Sequence, residues 1–236
     1  MRLQLIAEGS IGEDRLARRW GLSFLLGEEV LFDAFGDEKV FLENISKFKI
    51  DTGRIRHIVI SHDDWDHIAG LWYLMEKRKD LRVYICPNAG KQFKERIRTY
   101  GVEVVEAGAP VKIADGIYTS GELTSPGADS VIYEQSLAVK TDRGVSVICG
   151  CAHPGVISII SSVKNIYKKN ADMLIGGLHL KDTEEEAVLA LSENMRKAGI
   201  NRVLPLHCTG KEAVRIMQNH FGPGFLKMKE GEAIEI

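Results

Sequence analysis

"SHDDWDHIAG", residues 61–70, sets five ionisable side chains in six positions: His62, Asp63, Asp64, Asp66 and His67. It follows the apolar run Ile58-Val59-Ile60, which reads as a buried strand. It leads into "IAGLWYLMEKRK", where Leu71, Leu74 and Met75 fall on one side of a helix. A charged loop at the end of a strand does not help a core. It lies where α/β folds present ligand-binding side chains over a rigid sheet. Alternate residues of an extended loop share a face, so His62 and Asp64 project together, while Asp66 and His67 begin the turn into the helix. One loop can then offer a nitrogen–oxygen pair to each of two metal ions, and imidazole with carboxylate suits Zn²⁺, Mn²⁺ or Fe. Three aspartates this close repel one another without a cation. The structural alternative is a solvated acidic turn in which Asp66 caps the helix.

Outward from this loop, short β runs and helical stretches alternate. "GLSFLL" and "EVLFDA" read as neighbouring strands joined at Gly27-Glu28, and "DEKVFLENISKFK" as a helix with Asp37 as N-cap. "LRVYI", a helix in "AGKQFKERIRTY" and "VEVV" follow. Residues 108–148 are β-rich, with "SLAVKT" and "GVSVIC" joined by the hairpin-like "DRG". A helix in "VISIISSVKNIYKK" and the strands "DMLIG" and "NRVLPL" come next. Thr183 with Glu186, and Thr209 with Glu212, have capping-box spacing before the last two helices, and "FLKM" and "AIEI" finish as strands. No linker, tandem repeat or low-complexity tract interrupts the chain. So many strands exceed a simple doubly wound sheet, and two mixed sheets with helices outside would use them. The expectation is a single α/β domain over residues 1–236 with four layers.

The 236 residues are 44% hydrophobic and 27% charged, with a formal net charge of -2, enough apolar mass for a large core. Charges are mixed along the chain, so no electrostatic footprint for nucleic acid is expected. No run of about 18 apolar residues suggests a membrane span, and "MRLQLIAEGS" has too short an apolar stretch for a signal peptide. A cytoplasmic location is expected. Cys86, Cys149, Cys151 and Cys208 then read as thiols or ligands rather than disulfides.

Five of the seven histidines follow apolar strands: His62 and His67, His153 after "VSVICGCA", His179 after "DMLIGGL" and His207 after "RVLPL". His57 lies within a strand pattern and reads as structural. His220, in the last turn of the final helix, suits the helix dipole.

At these residues the sequence resembles the metallo-β-lactamase superfamily, whose motif is H-x-H-x-D-H before a helix. "GLSFLLGEEVLFDAFGD" is similar to the family's opening hairpin, and "GCAHPG", "GGLHL" and "PLHCTG" resemble the branch of metal-dependent hydrolases related to dihydropterin–ribofuranosylaminobenzene phosphate synthase. The resemblance runs from about residue 20 to 210. It implies a four-layer αββα sandwich with two divalent metal ions, zinc first and Mn or Fe as alternatives. His62 and Asp64 would serve the first ion, Asp66, His67 and His207 the second, and His153 would be a further ligand. Asp33 would buttress the metal loop. His62, Asp66, His67, His153 and His207 are therefore expected in one small pocket. Two departures stand out: Asp64 replaces the usual His, a form that competence-type members share, and Cys151 stands where a bridging aspartate is common. Cys151 is read as packing or as a thiolate ligand.

The resemblance implies a hydrolase in which a metal-bound hydroxide attacks a small ester, phosphoester or lactone. Asp66 would orient the water, and His179 would contact substrate oxygen or protonate a leaving group. Thr209 reads as a cap, and free amides at that helix start would suit a phosphorylated substrate. Two alternatives stand beside this: a pterin-related synthase or transferase with a metal-polarised substrate, and a weakly metallated, non-catalytic binding protein. A small-molecule partner is expected, and neither membrane nor nucleic acid. The sequence leaves the oligomeric state open.

Overall fold

A computed structural model describes residues 1–9, 20–125 and 131–236; residues 126–130 of the β-rich stretch 108–148 lie outside the described residues. The chain forms two compact units.

The first unit takes in residues 1–9, 20–108 and 228–236. It contains β1 (Arg2–Gly9), β2 (Gly21–Leu26), β3 (Val30–Phe32), α1 (Glu38–Lys47), β4 (His57–Val59), α2 (Trp65–Lys77), β5 (Arg82–Ile85), α3 (Lys91–Arg98) and β6 (Glu103–Glu106). A last strand, Ala233–Glu235, pairs antiparallel with β1. β1, β2 and β3 run antiparallel, and β3, β4, β5 and β6 are parallel neighbours. All six residues of β2 are buried, which is why "GLSFLL" is apolar on both faces apart from Ser23, whose hydroxyl is satisfied by the Asp33 carbonyl. Asp37 caps α1 as expected, its Oδ1 accepting from Val40 N at 3.0 Å. β1 is a strand that the sequence pattern left unassigned.

The second unit takes in residues 109–125 and 131–227. Its strands are β7 (Lys112–Ala114), β8 (Ile117–Thr119), β9 (Leu123–Ser125), β10 (Ile132–Glu134), β11 (Leu137–Thr141), β12 (Gly144–Cys149), β13 (Ala171–Gly177) and β14 (Arg202–Leu206). Its helices are α4 (Val156–Tyr167), α5 (Glu185–Lys197) and α6 (Lys211–Phe221). One sheet has the order β14-β13-β12-β11-β8-β7, and β9 and β10 form a separate ribbon. β12, β13 and β14 are parallel neighbours, so their C-terminal ends share one rim. Val147, Ile159, Val163, Leu174, Val203 and Met217 form part of the core under the three helices.

Three local expectations are corrected. α5 starts at Glu185 with Glu184 as N-cap and no side-chain cap bond; Thr183 is held one residue too early, by its N donating to Leu180 O. α6 starts at Lys211 behind Gly210, because a single 3-10 turn, His207–Thr209, comes between β14 and the helix. "FLKM" is not a strand, since only Phe225 bridges to Val203; three apolar residues around Lys227 fit half-buried irregular chain equally well. No described helix is long and apolar enough to cross a membrane.

Candidate metal centre

In the first unit, parallel pairing decides what meets what. Phe32 of β3 lies opposite Val59 of β4, so the loops leaving these strands run side by side. Asp33 leaves β3, and the loop 60–64 leaves β4. Asp33 is fully buried. Its Oδ1 accepts from Ser61 N and its Oδ2 from Ser61 Oγ and His67 Nδ1, each at 2.7 Å. Its own N donates to Val59 O at 2.9 Å, and Ser23 Oγ donates to its carbonyl at 2.8 Å. Ser61 Oγ has one hydrogen, spent on Asp33, so it accepts from His62 Nδ1 at 2.8 Å. Both imidazoles are thus oriented through Nδ1, leaving Nε2 as the ligand atom. The first turn of α2 sits against the chain: a Cβ on Gly21 would lie 2.1 Å from Asp66 O, so only glycine fits there.

The Nε2 atoms face carboxylates. His62 Nε2 lies 3.4 Å from Asp64 Oδ2, and His67 Nε2 lies 3.4 Å from Asp66 Oδ2. That is long for a hydrogen bond. It matches two ligands sharing one tetrahedral ion, because bonds of 2.0–2.1 Å place neighbouring donors about 3.4 Å apart. The donor chemistry and this spacing fit a zinc-class ion. The two rings are 4.2 Å apart at their centroids. His67 and Asp66 are buried, whereas the Asp64 side chain is 55% exposed. Burial alone would hold His67 below the usual histidine value. The Asp33 carboxylate, with help from Asp66, outweighs that and raises it well above. An incoming metal ion therefore displaces a proton from this ring.

In the second unit, Glu134 plays the part of Asp33. It ends β10 and is buried. Its Oε1 accepts from Cys151 N and Ala152 N at 3.0 and 2.8 Å, and its Oε2 from His153 N and Nδ1 at 2.8 and 2.9 Å. His153 is thus a third imidazole fixed through Nδ1. Its ring packs on that of His179, with centroids 4.5 Å apart. A cleft of about 310 Å³ opens beside this pair, walled by Val156, Ile157, Leu178 and Leu180. His207 is fully buried. Thr209 is also buried; its hydroxyl donates to Leu206 O at 2.7 Å and accepts from Leu178 N at 3.2 Å, tying the turn after β14 to the loop after β13.

Of the seven non-glycine residues with left-handed backbone among the described residues, four are Asp33, Ala152, His179 and His207. Such strain collects where surrounding structure fixes a functional geometry. Ser61 holds His62 in the first unit and Glu134 holds His153 in the second, and neither role is marked directly in the sequence pattern. The sequence signal for Ser61 is its place between the strand and His62. Cys208 is pushed down to about 4, first by its hydrogen bond with Cys151, against burial, then by His179 and the charge of His207. Burial, with the nearby Glu134 charge, pushes the Cys149 thiol up. His57 contacts Tyr84 Oη through Nδ1 at 3.1 Å, and His220 closes α6 against Phe221, both structural roles.

The chain belongs to the metallo-beta-lactamase superfamily, whose sequence profile matches residues 21–176. Within it, the chain is 27% identical to 7,8-dihydropterin-6-methyl-4-(beta-D-ribofuranosyl)-aminobenzene-5'-phosphate synthase of Methanocaldococcus jannaschii, over 91% of this chain and 89% of the relative. Among solved structures, it is similar to Tm1679, described as a metal-dependent hydrolase of the beta-lactamase superfamily, with a TM-score of 0.80, 25% identity and coverage of 100% and 99%. YhfI from Bacillus subtilis, a metallo-beta-lactamase fold protein, aligns with a TM-score of 0.70 at 15% identity and 99% coverage of both chains, which shows the shared fold.

Proposed function

We propose that this chain is a metal-dependent hydrolase of a small ester, phosphoester or lactone, with His62, Asp64, Asp66, His67, His153 and His207 as ligands of two divalent ions, zinc first. One observation carries the reading: His62, His67 and His153 are each held at Nδ1 by a chain oxygen, which leaves Nε2 for a metal. The order of the motif blocks along the chain supports the joint use of the six ligands. When bound, such ions supply Lewis-acid polarisation and bring the pKa of a water towards neutrality.

The chain's own residues carry the remaining steps. Asp33, through Ser61 and directly, fixes His62 and His67. In this reading Asp66 holds its ion and orients the attacking water. Exposed His179, beside the apolar cleft, donates a proton to the leaving oxygen. Leu178 and Leu180 receive the apolar part of a small substrate. Thr209 acts on a substrate through the loop it holds, since its hydroxyl is engaged in the fold. A cytoplasmic, small-molecule enzyme is the corresponding setting.

The synthase name of the archaeal relative favours a second reading, in which the polarised substrate passes to an acceptor rather than to water. That name also brings in a phosphorylated substrate. Product analysis with and without an amine acceptor separates the two readings. Asp66→Ala tests the first. Hydrolysis is expected to fall by about two to four orders of magnitude, with loss of a water orienter and ligand, while the circular-dichroism spectrum stays unchanged. Undiminished turnover by this variant removes Asp66 from the reaction.

A further inference from the structure

We propose that Cys151, Cys208 and His179 form a sulfur-bearing cation site that takes a zinc-class ion. Their donor atoms all lie within 4.8 Å of one another. Bonds of about 2.3 Å to sulfur and about 2.0 Å to nitrogen place tetrahedral donors roughly 3.5–3.8 Å apart, so closing this trio on an ion needs a shift of about an ångström or less.

Three further features fit sulfur as a ligand rather than as packing. The backbone N of His179 donates to Cys208 Sγ at 3.3 Å, and an amide aimed at sulfur stabilises the thiolate form. Space has been left for that sulfur: a Cβ on Gly177 would lie 2.7 Å from Cys208 Sγ and 2.3 Å from Gly150 O. The donors also leave three parallel, neighbouring strands, which hold them in register. Cys151 follows β12, His179 follows β13 and Cys208 follows β14. The cysteines are buried and His179 is exposed, so the trio opens to solvent on one side and leaves a fourth position for water or substrate. Two thiolates select zinc, cobalt or cadmium over manganese or magnesium. This inference rests on the proposed function in that the chain binds divalent ions, and Cys151 also lies within 4.8 Å of His153 and of His207, ligands in that reading, so Cys208→Ser is the variant that separates the two. Where the site is filled, His179 is a ligand and not the proton donor.

Cobalt(II) reports sulfur directly. The full chain, stripped by chelator under reductant and titrated with cobalt, is expected to show sulfur-to-cobalt charge-transfer absorption in the near ultraviolet. Cys151→Ser and Cys208→Ser should each abolish it, with about one fewer zinc bound per chain, and Cys86→Ser should keep it. Asp66→Ala should lose hydrolysis and retain the band, so failure of the proposed function and failure of this site are distinguishable. Should a serine variant not fold, alkylation of the natural protein replaces it: zinc is expected to slow modification of Cys151 and Cys208 at least tenfold, read by peptide mass. Cobalt loading without the band, alkylation indifferent to zinc, or a Cys151–Cys208 disulfide in protein purified without reductant would each overturn the proposal.

Discussion

Asp33 and Glu134 perform the same task in two constructions. Asp33 reaches one strand sideways: β3 and β4 are parallel neighbours, and its carboxylate takes the next loop's Ser61 and then His67. Glu134 comes from a two-stranded ribbon and gathers three consecutive backbone amides, 151–153, before it reaches the His153 ring. The first carboxylate chiefly orients side chains. The second also builds the loop that carries its histidine. The difference predicts that Glu134 weighs more in folding and Asp33 more in metal affinity.

The largest effect should therefore follow Glu134→Ala. It strands three amides and the His153 Nδ1–H, most of them buried, at a cost of about 3–5 kcal/mol. Urea unfolding of metal-free protein should show this as a fall in midpoint with little change in slope. A smaller loss than for a substitution at Asp33 breaks the comparison.

Asp33→Asn comes next. Asparagine retains an acceptor for Ser61 N but presents an amide to Ser61 Oγ and His67 Nδ1. Stability should fall by about 2–3 kcal/mol, and zinc affinity 10–100-fold because His67 loses its orienting carboxylate. The pH dependence has a definite sign. The folded-state pKa of His67 is raised, so the pair's contribution is fully present below the usual histidine value near 6.5. It is lost as pH rises through the raised value. In chelator-treated protein, the stability gap between natural chain and variant should narrow on going alkaline. A gap that widens contradicts the assigned charge pair.

These two acids also mark what the sequence carries. Asp33 stands out because "EVLFDA" ends an apolar strand with an acid, and the family hairpin has an acid there. Glu134 in "VIYEQS" has no such signal. Period-2 alternation accounts for a polar residue in a strand as one that faces solvent. Its burial depends on amides 17 to 19 positions later, and strand periodicity does not encode that pairing. The His62 loop was legible because strand, ligands and helix are contiguous. The sulfur cluster was not, since Cys151, His179 and Cys208 meet only through the β12-β13-β14 order. Capping-box spacing at Thr209 misled for a related reason: the hydroxyl bonds to Leu206 and Leu178 instead of the helix.

Ser61→Ala isolates the relay within the first construction. The backbone bond to Asp33 stays, and only the hydroxyl between Asp33 and His62 is removed. A loss of about 1 kcal/mol is expected. Zinc affinity should fall less than for Asp33→Asn, since His67 keeps its direct contact. Calorimetric titration ranks the two variants. Equal losses would mean that the carboxylate acts on zinc mainly through Ser61.

Asp64→His should have the smallest effect on the fold and a specific one on the metal. Asp64 is N-cap to α2 without a side-chain cap bond, and its side chain is 55% exposed. Replacement should change stability by no more than about 0.5 kcal/mol. Its carboxylate pairs with His62, giving one ion more oxygen character than two imidazoles would, and that makes Mn²⁺ or Fe²⁺ more competitive with zinc. Asp66 and His67 are buried and more firmly held. Counted apart from the sulfur site, the six-ligand centre of the natural protein is expected to carry fewer than two zinc ions per chain, with the deficit on the His62 side. The larger imidazole has room because position 64 faces solvent. Elemental analysis of both proteins from one buffer should show zinc rising in Asp64→His at unchanged melting temperature. Full two-zinc loading of that six-ligand centre in the natural chain, read in a Cys208→Ser background that empties the sulfur site, with no gain on adding Asp64→His, would show that the carboxylate at 64 already serves zinc and that ligand hardness does not set occupancy here.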